Sequence, residues 1–185
     1  RAGDAVLVAA DIPLGPAACF NCSYTNGYEG DVWAADFQRQ FVQRLLAYNA
    51  TVMGVFSGHT HTDEFRVLQG VVPVYIMPSL PPYNPATNPA VRAFRYEGGR
   101  VVDYMQHTFH LDASNRAGTE IWDTYSPRSS YGMPDLTAAS WVDLAQRMQQ
   151  DDELFQAYNV AFNGFPAIPA ACTDAWSPSV YNPKG

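Results

Sequence analysis

The residues best placed to do chemistry lie in one short run, Phe56-Ser57-Gly58-His59-Thr60-His61-Thr62-Asp63-Glu64-Phe65, which holds two of the chain's 4 histidines at alternate positions. Neutral imidazole is a common ligand for zinc, iron and manganese, and a preceding glycine lets backbone or ligand approach closely. The apolar residues 52–57 read as a strand. A strand sends alternate side chains to one side, so where residues 58–61 stay extended both imidazoles face one point beyond its carboxyl end. Open α/β sheets build their sites at that end. The plainer alternative is that His59 and His61 are polar loop residues satisfied by water or backbone.

Several elements must position that loop. Residues 5–10 are short, continuous and apolar, the pattern of a strand buried on both faces, and Pro13, Gly15 and Pro16 force a loop at its end. Over residues 31–48, Trp33, Phe37, Phe41 and Leu45 recur every four residues, which predicts an amphipathic helix with Asp31 as its N-cap. Residues 5–57 therefore read as strand, crossover helix, strand. Residues 65–68, 71–77, 90–96 and 100–109 read as consecutive strands, with Glu97-Gly98-Gly99 supplying a hairpin turn. Residues 78–89 are too rich in proline for regular structure and form an ordered loop or a mobile flap. Beyond Trp122 the pattern turns helical. Ser140 to Asp143 resembles a capping box, Trp141, Leu144, Ala145 and Met148 keep helical spacing, and Asp151-Asp152-Glu153 opens a further helix that Asn163-Gly164 closes.

Composition fixes the setting. At 185 residues, 47% hydrophobic and 14% aromatic, the chain is long and apolar enough to bury a sizeable core. A net charge of -7 with 11 scattered basic residues gives no footprint for nucleic acid or for an anionic membrane surface. No apolar run approaches the length of a transmembrane segment. The 3 cysteines, Cys19, Cys22 and Cys172, leave at least one free or paired outside the chain, and Cys19-Phe20-Asn21-Cys22 lacks the second pair that a four-thiolate zinc site needs. Asn21-Cys22-Ser23 and Asn49-Ala50-Thr51 read as N-glycosylation acceptors, which suits a secreted or lysosomal route.

The run FSGHTHTDEF resembles the last metal-binding motif, Gly-His-x-His, of the calcineurin-like metallophosphoesterases, and within them the acid sphingomyelinase-like phosphodiesterase branch. The resemblance extends to VLVAADIPLGP, which is similar to that branch's strand ending in His-Ile-Pro-Pro-Gly, and to YGMPDLTAASWVDLAQRMQQDDELFQAYN, which is similar to its C-terminal helical extension. It implies an α/β fold: half of a metallophosphoesterase β-sandwich flanked by helices (αββα) over residues 1–115, then an α-helical extension over residues 116–185. In such enzymes two divalent metals, usually zinc in this branch, bridge a hydroxide and clamp a phosphodiester for in-line attack. His59 would ligate one metal and His61 the other, with Asp63 and Glu64 orienting the imidazoles or simply solvated on the turn.

Two departures from the family pattern stand out. Asp11 replaces the strand-end histidine that would share the metal of His59, bringing a shorter side chain and a negative charge. The family's earlier motifs Asp-x-His and Gly-Asn-His are absent from the 185 residues. The resemblance therefore implies a partner, the N-terminal half of the same domain, to complete the dinuclear site and act on a phosphodiester, including sphingolipid-like substrates. The alternative is a catalytically inactive relic serving as a structural or binding module. The one candidate wall for a substrate is the proline-rich loop with Tyr83, Asn84 and Asn88; Tyr83 either stacks on a choline-like headgroup or packs the loop.

Overall fold

A computed structural model describes residues 4–15, 33–82 and 87–162, with the backbone alone at 162 and 180–181. The three cysteines, Asn21, Asp31, Tyr83, Asn84 and the Asn163-Gly164 stop lie outside the described residues. The elements run β1 (Val6–Ala9), α1 (Ala35–Ala47), β2 (Val52–Ser57), β3 (Glu64–Leu68), β4 (Val72–Ile76), β5 (Ala90–Glu97), β6 (Arg100–Phe109), α2 (Leu111–Ala117), β7 (Trp122–Tyr125), α3 (Pro127–Ser130), α4 (Ala138–Met148), α5 (Asp152–Phe162) and β8 (Val180–Tyr181).

These form a mixed α/β fold with two sheets. The first has strand order β1-β2-β4-β3-β8, with β1, β2 and β4 parallel and β3 antiparallel to β4. The second is the antiparallel meander β5-β6-β7, whose first turn uses Gly98 and Gly99 at φ 55° and 81°. Each face of the first sheet carries its own core. On one face Val42 and Leu45 of α1 pack with Val55, Val74 and Ile76. On the other, Phe65 and Tyr75 meet Tyr104 and Tyr125 of the second sheet and Trp141 of α4, the Phe65 and Trp141 rings stacking at 4.4 Å. Gly54 permits this packing, because a Cβ there would sit 2.9 Å from the Tyr75 ring.

Three sequence expectations need correction. The strand at residues 5–10 is not buried on both faces: Val6 and Leu7 are 42% and 44% exposed, because β1 is an edge strand paired only with β2 among the described residues. The helix over residues 31–48 begins at Ala35 and keeps most of its expected stripe inward, with Val42 and Leu45 buried and Trp33, Phe41 and Leu46 packed against the core, but Phe37 departs from it. Gln38, Val42 and Leu45 are buried while Phe37 is 70% exposed. The Gln38 carboxamide accepts the Gly15 N–H at 2.7 Å, so satisfying a buried loop amide outweighs burying one more aromatic ring. The helix expected near Ser140 starts at Ala138, with Thr137 as N-cap accepting the Ser140 N–H. Asp151 does cap α5, accepting the Leu154 N–H at 3.0 Å. The short elements α2, β7 and α3 carry no periodicity strong enough to be read in advance.

Candidate functional site

The register of β1 on β2 sets the site. Val8 pairs with Val55 and Ala9 with Phe56. Beyond them the ladder continues for one more step, with Ala10 N–H donating to the Phe56 carbonyl and Gly58 N–H to the Asp11 carbonyl, each at 2.9 Å. This puts Asp11 beside Gly58 and His59 at the carboxyl ends of two parallel strands. Asp11 Oδ2 and His59 Nδ1 are 3.6 Å apart, and both side chains are open to solvent.

The backbone does not stay extended through the histidines. After Ser57 it turns tightly, with Thr60 N–H donating to the Gly58 carbonyl, and His59 and His61 take left-handed φ values of 68° and 61°. Non-glycine residues in that region cost about 1–3 kcal/mol each and concentrate at functional sites. Strand alternation therefore does not aim the two imidazoles at one point; a pair of strained turns presents them.

Asp63 and Glu64 turn inward instead of lying on an exposed turn, and both are buried. Asp63 accepts from Arg92 and from the Tyr125 hydroxyl, while its main-chain carbonyl accepts from Tyr158 of α5 at 3.3 Å. Arg92 also donates through Nε to Gln106 Oε1 at 3.0 Å and lies over the Tyr104 ring at 4.0 Å. Burial raises the Asp63 pKa, against the pull of the Arg92 charge and the Tyr125 hydrogen bond. Burial disfavours the Arg92 charge too, but Asp63 more than compensates and holds the guanidinium above its ordinary value. Glu64 instead pairs with Arg66 at 3.1 Å.

The other candidates are placed elsewhere. Asn88 Oδ1 accepts the Leu111 N–H at 3.2 Å, fastening the end of the proline-rich loop to the start of α2. His107 Nδ1 is 2.8 Å from Thr124 Oγ1 and His110 Nε2 is 2.6 Å from Asp123 Oδ2, both along the β6–β7 pairing. Sequence reasoning missed Arg92, Gln106, Tyr125 and Arg66. The signal was there for Arg92, since strand alternation puts it on the same face as Phe94.

Among the described residues no three His, Cys, Asp or Glu side chains are grouped to hold a metal. Asp11 and His59 do suit two corners of one. Their 3.6 Å separation is close to the ~3.4 Å between adjacent donors of a tetrahedral zinc with bonds of about 2.0–2.1 Å. The donor set fits a divalent cation in part and leaves its remaining corners to residues beyond this group.

No protein-family model matches the chain. Among curated proteins it is similar to acid sphingomyelinase-like phosphodiesterase 3b of Homo sapiens, 27% identical over 96% of this chain and 41% of the relative. It is 30% identical to sphingomyelin phosphodiesterase of Bos taurus over 84% of this chain and 25% of that protein. It is 29% identical to a cyclic GMP-AMP phosphodiesterase of Rattus norvegicus over 63% of this chain and 29% of the relative. The chain thus spans well under half the length of these relatives. The likeness over most of its own length places the chain in the acid sphingomyelinase-like phosphodiesterase branch.

Proposed function

We propose that the chain is the C-terminal half of a metal-dependent phosphodiesterase domain, residues 1–115, followed by an extension over residues 116–185 whose α4 and α5 pack on it and whose β7 and β8 join its two sheets. The apposition of Asp11 and His59 at 3.6 Å, at the carboxyl ends of parallel β1 and β2, carries this reading. Asp11 and His59 hold one divalent cation, zinc by preference, and His61 contributes to a second. When bound, such a pair of cations supplies a hydroxide nucleophile at neutral pH and neutralises the charge building on a phosphodiester. The chain's own contribution is to fix donors: two parallel strands set the height of Asp11 and His59, and the strained turn carries His59 at the surface with His61 half-buried beside it. The N-terminal half of the domain is the partner that supplies the other ligands and the leaving-group acid. Relatives named for sphingomyelin and for cyclic GMP-AMP share only the phosphodiester, so that bond defines the substrate class.

The secretory route follows from the sequons at Asn21 and Asn49, the second of which lies on the exposed turn after α1. Tyr83, Asn84 and Asn88 belong to the proline-rich loop that is the candidate substrate wall, with Asn88 serving to hold its end. A second reading, the inactive relic, draws on Asp11 itself, which replaces a neutral imidazole by an anionic donor left open to solvent.

Co-expression with the N-terminal half of a close homologue, assayed on an aryl phosphodiester with added zinc and manganese, separates the two. An active site gives turnover that His59→Ala abolishes and that Asp11→His retains with a shifted pH optimum. A relic gives an inert wild-type complex even when metal is saturating.

A further inference from the structure

The ladder between β1 and β2 ends at Gly58, yet the loops that leave these strands are joined again by a second set of contacts. Arg66 and Glu64 lie two residues apart on one face of β3, 4% and 3% exposed. Arg66 Nη2 is 3.1 Å from Glu64 Oε2, and Nη1 donates to the main-chain carbonyl of Leu14. The second oxygen of Glu64 bonds the Thr62 hydroxyl at 2.5 Å, and that hydroxyl is 2.8 Å from Thr60 Oγ1. A continuous path of hydrogen bonds therefore runs Leu14, Arg66, Glu64, Thr62, Thr60. It starts three residues after Asp11 and ends between His59 and His61.

A buried ion pair is a poor device for stability alone, because desolvating two charges costs about as much as their attraction returns, whereas it fixes geometry well. Arginine suits the task, since its planar fork bonds a carboxylate and a carbonyl at once where lysine offers a point charge. We propose that Arg66 and Glu64 are positioning residues that lock the loop after Asp11 to the turn bearing His59, and so set the affinity of that pair of donors for a divalent cation. The consequence for affinity rests on reading Asp11 and His59 as ligands; the locking does not.

The test uses the full 185-residue chain and two variants. Arg66→Lys keeps the charge but loses the fork. Thr62→Val keeps shape but cuts the path at its half-buried end, away from the core. Hydrogen exchange reports the Gly58 amide, which donates to the Asp11 carbonyl, and equilibrium dialysis reports zinc affinity. Both variants should speed Gly58 exchange at least ~10-fold and weaken zinc at least ~10-fold, while the Val55 and Val74 amides exchange as in wild type. Gly58 exchange within about twofold of wild type in both variants overturns the proposal. Should Arg66→Lys not fold, Thr62→Val alone decides it. A wild-type chain that binds no zinc defeats the ligand reading and with it the affinity consequence, and Gly58 exchange then still decides the locking.

Discussion

Asp11 Oδ2 faces His59 Nδ1 across 3.6 Å, although 47 residues of chain and the whole of α1 separate them. The parallel ladder of β1 on β2 makes the encounter obligatory, because a slip by one residue would turn Asp11 to the other side. Metal binding should therefore follow these side chains and His61, and ignore the other histidines, whose ring nitrogens already face Thr124 and Asp123. Elemental analysis after dialysis against zinc should show most of the metal gone from His59→Ala and from His61→Ala, and wild-type content in His107→Ala and His110→Ala. Equal loss from all four would contradict the assignment.

Asp63 ties the histidine turn to both the second sheet and α5, so Arg92→Met should leave a buried carboxylate without its counter-charge. The expected loss is about 3–5 kcal/mol by urea unfolding, the range for breaking one side of a buried pair. Asp63→Asn should cost a similar amount, and the double variant much less than the sum. Additive losses in that double-mutant cycle would mean that the two side chains do not act as a pair.

How far the sequence shows all this depends on the kind of residue. The β5–β6 hairpin is legible because Gly98-Gly99 allows the positive φ values that its turn requires, and β2 because an apolar run of strand length is bounded by glycine and threonine. One position of α1 is not legible: Phe37 faces solvent while Gln38 is drawn inward by the Gly15 amide, a tertiary contact 23 residues away in the chain. The exposure of β1 escapes for a related reason. An apolar strand reads as buried, and nothing in its own residues says that it has only one described neighbour. At the candidate site, Gly58-His59-Thr60-His61 stands out by residue type and spacing, but its left-handed turns do not follow from residue types that seldom adopt them. The arginines behind it hide in strands that look merely alternating.

The start of α4 offers a test with a defined pH dependence. Asp135 accepts from Ser140 Oγ at 2.6 Å, Thr137 Oγ1 at 2.7 Å and Thr137 N–H at 2.9 Å, and these bonds hold its carboxyl below the ordinary aspartate value. A carboxylate with a lowered folded-state pKa contributes stability that is fully present above the unfolded value and is lost as pH falls through the folded one. Asp135→Ala should therefore lower stability near pH 7, by a modest amount because the carboxylate is exposed to solvent. The urea midpoints of variant and wild type should converge as pH falls below the ordinary aspartate range and through the lowered folded-state value. A gap that stays constant down to the acid limit would assign the loss to the side chain's packing and not to its charge.

The edge strand gives the sharpest test of whether this chain works alone. Val6 and Leu7 are apolar, exposed and carried on a strand whose outer edge has no neighbour among the described residues. Protein edges left in that state pair with other chains unless a charge or proline blocks them. If the outer edge of β1 is where the N-terminal half of the domain adds its own strand, the chain by itself should associate through β1 as its concentration rises. Light scattering coupled to size exclusion should show that behaviour, and Val6→Lys with Leu7→Lys should shift the chain to monomer without altering its circular dichroism. The same double variant should fail to assemble with a co-expressed N-terminal half and should lose the phosphodiesterase activity of the complex, although Asp11, His59 and His61 are untouched. A variant that still assembles and turns over substrate would show that β1 is not the seam between the two halves.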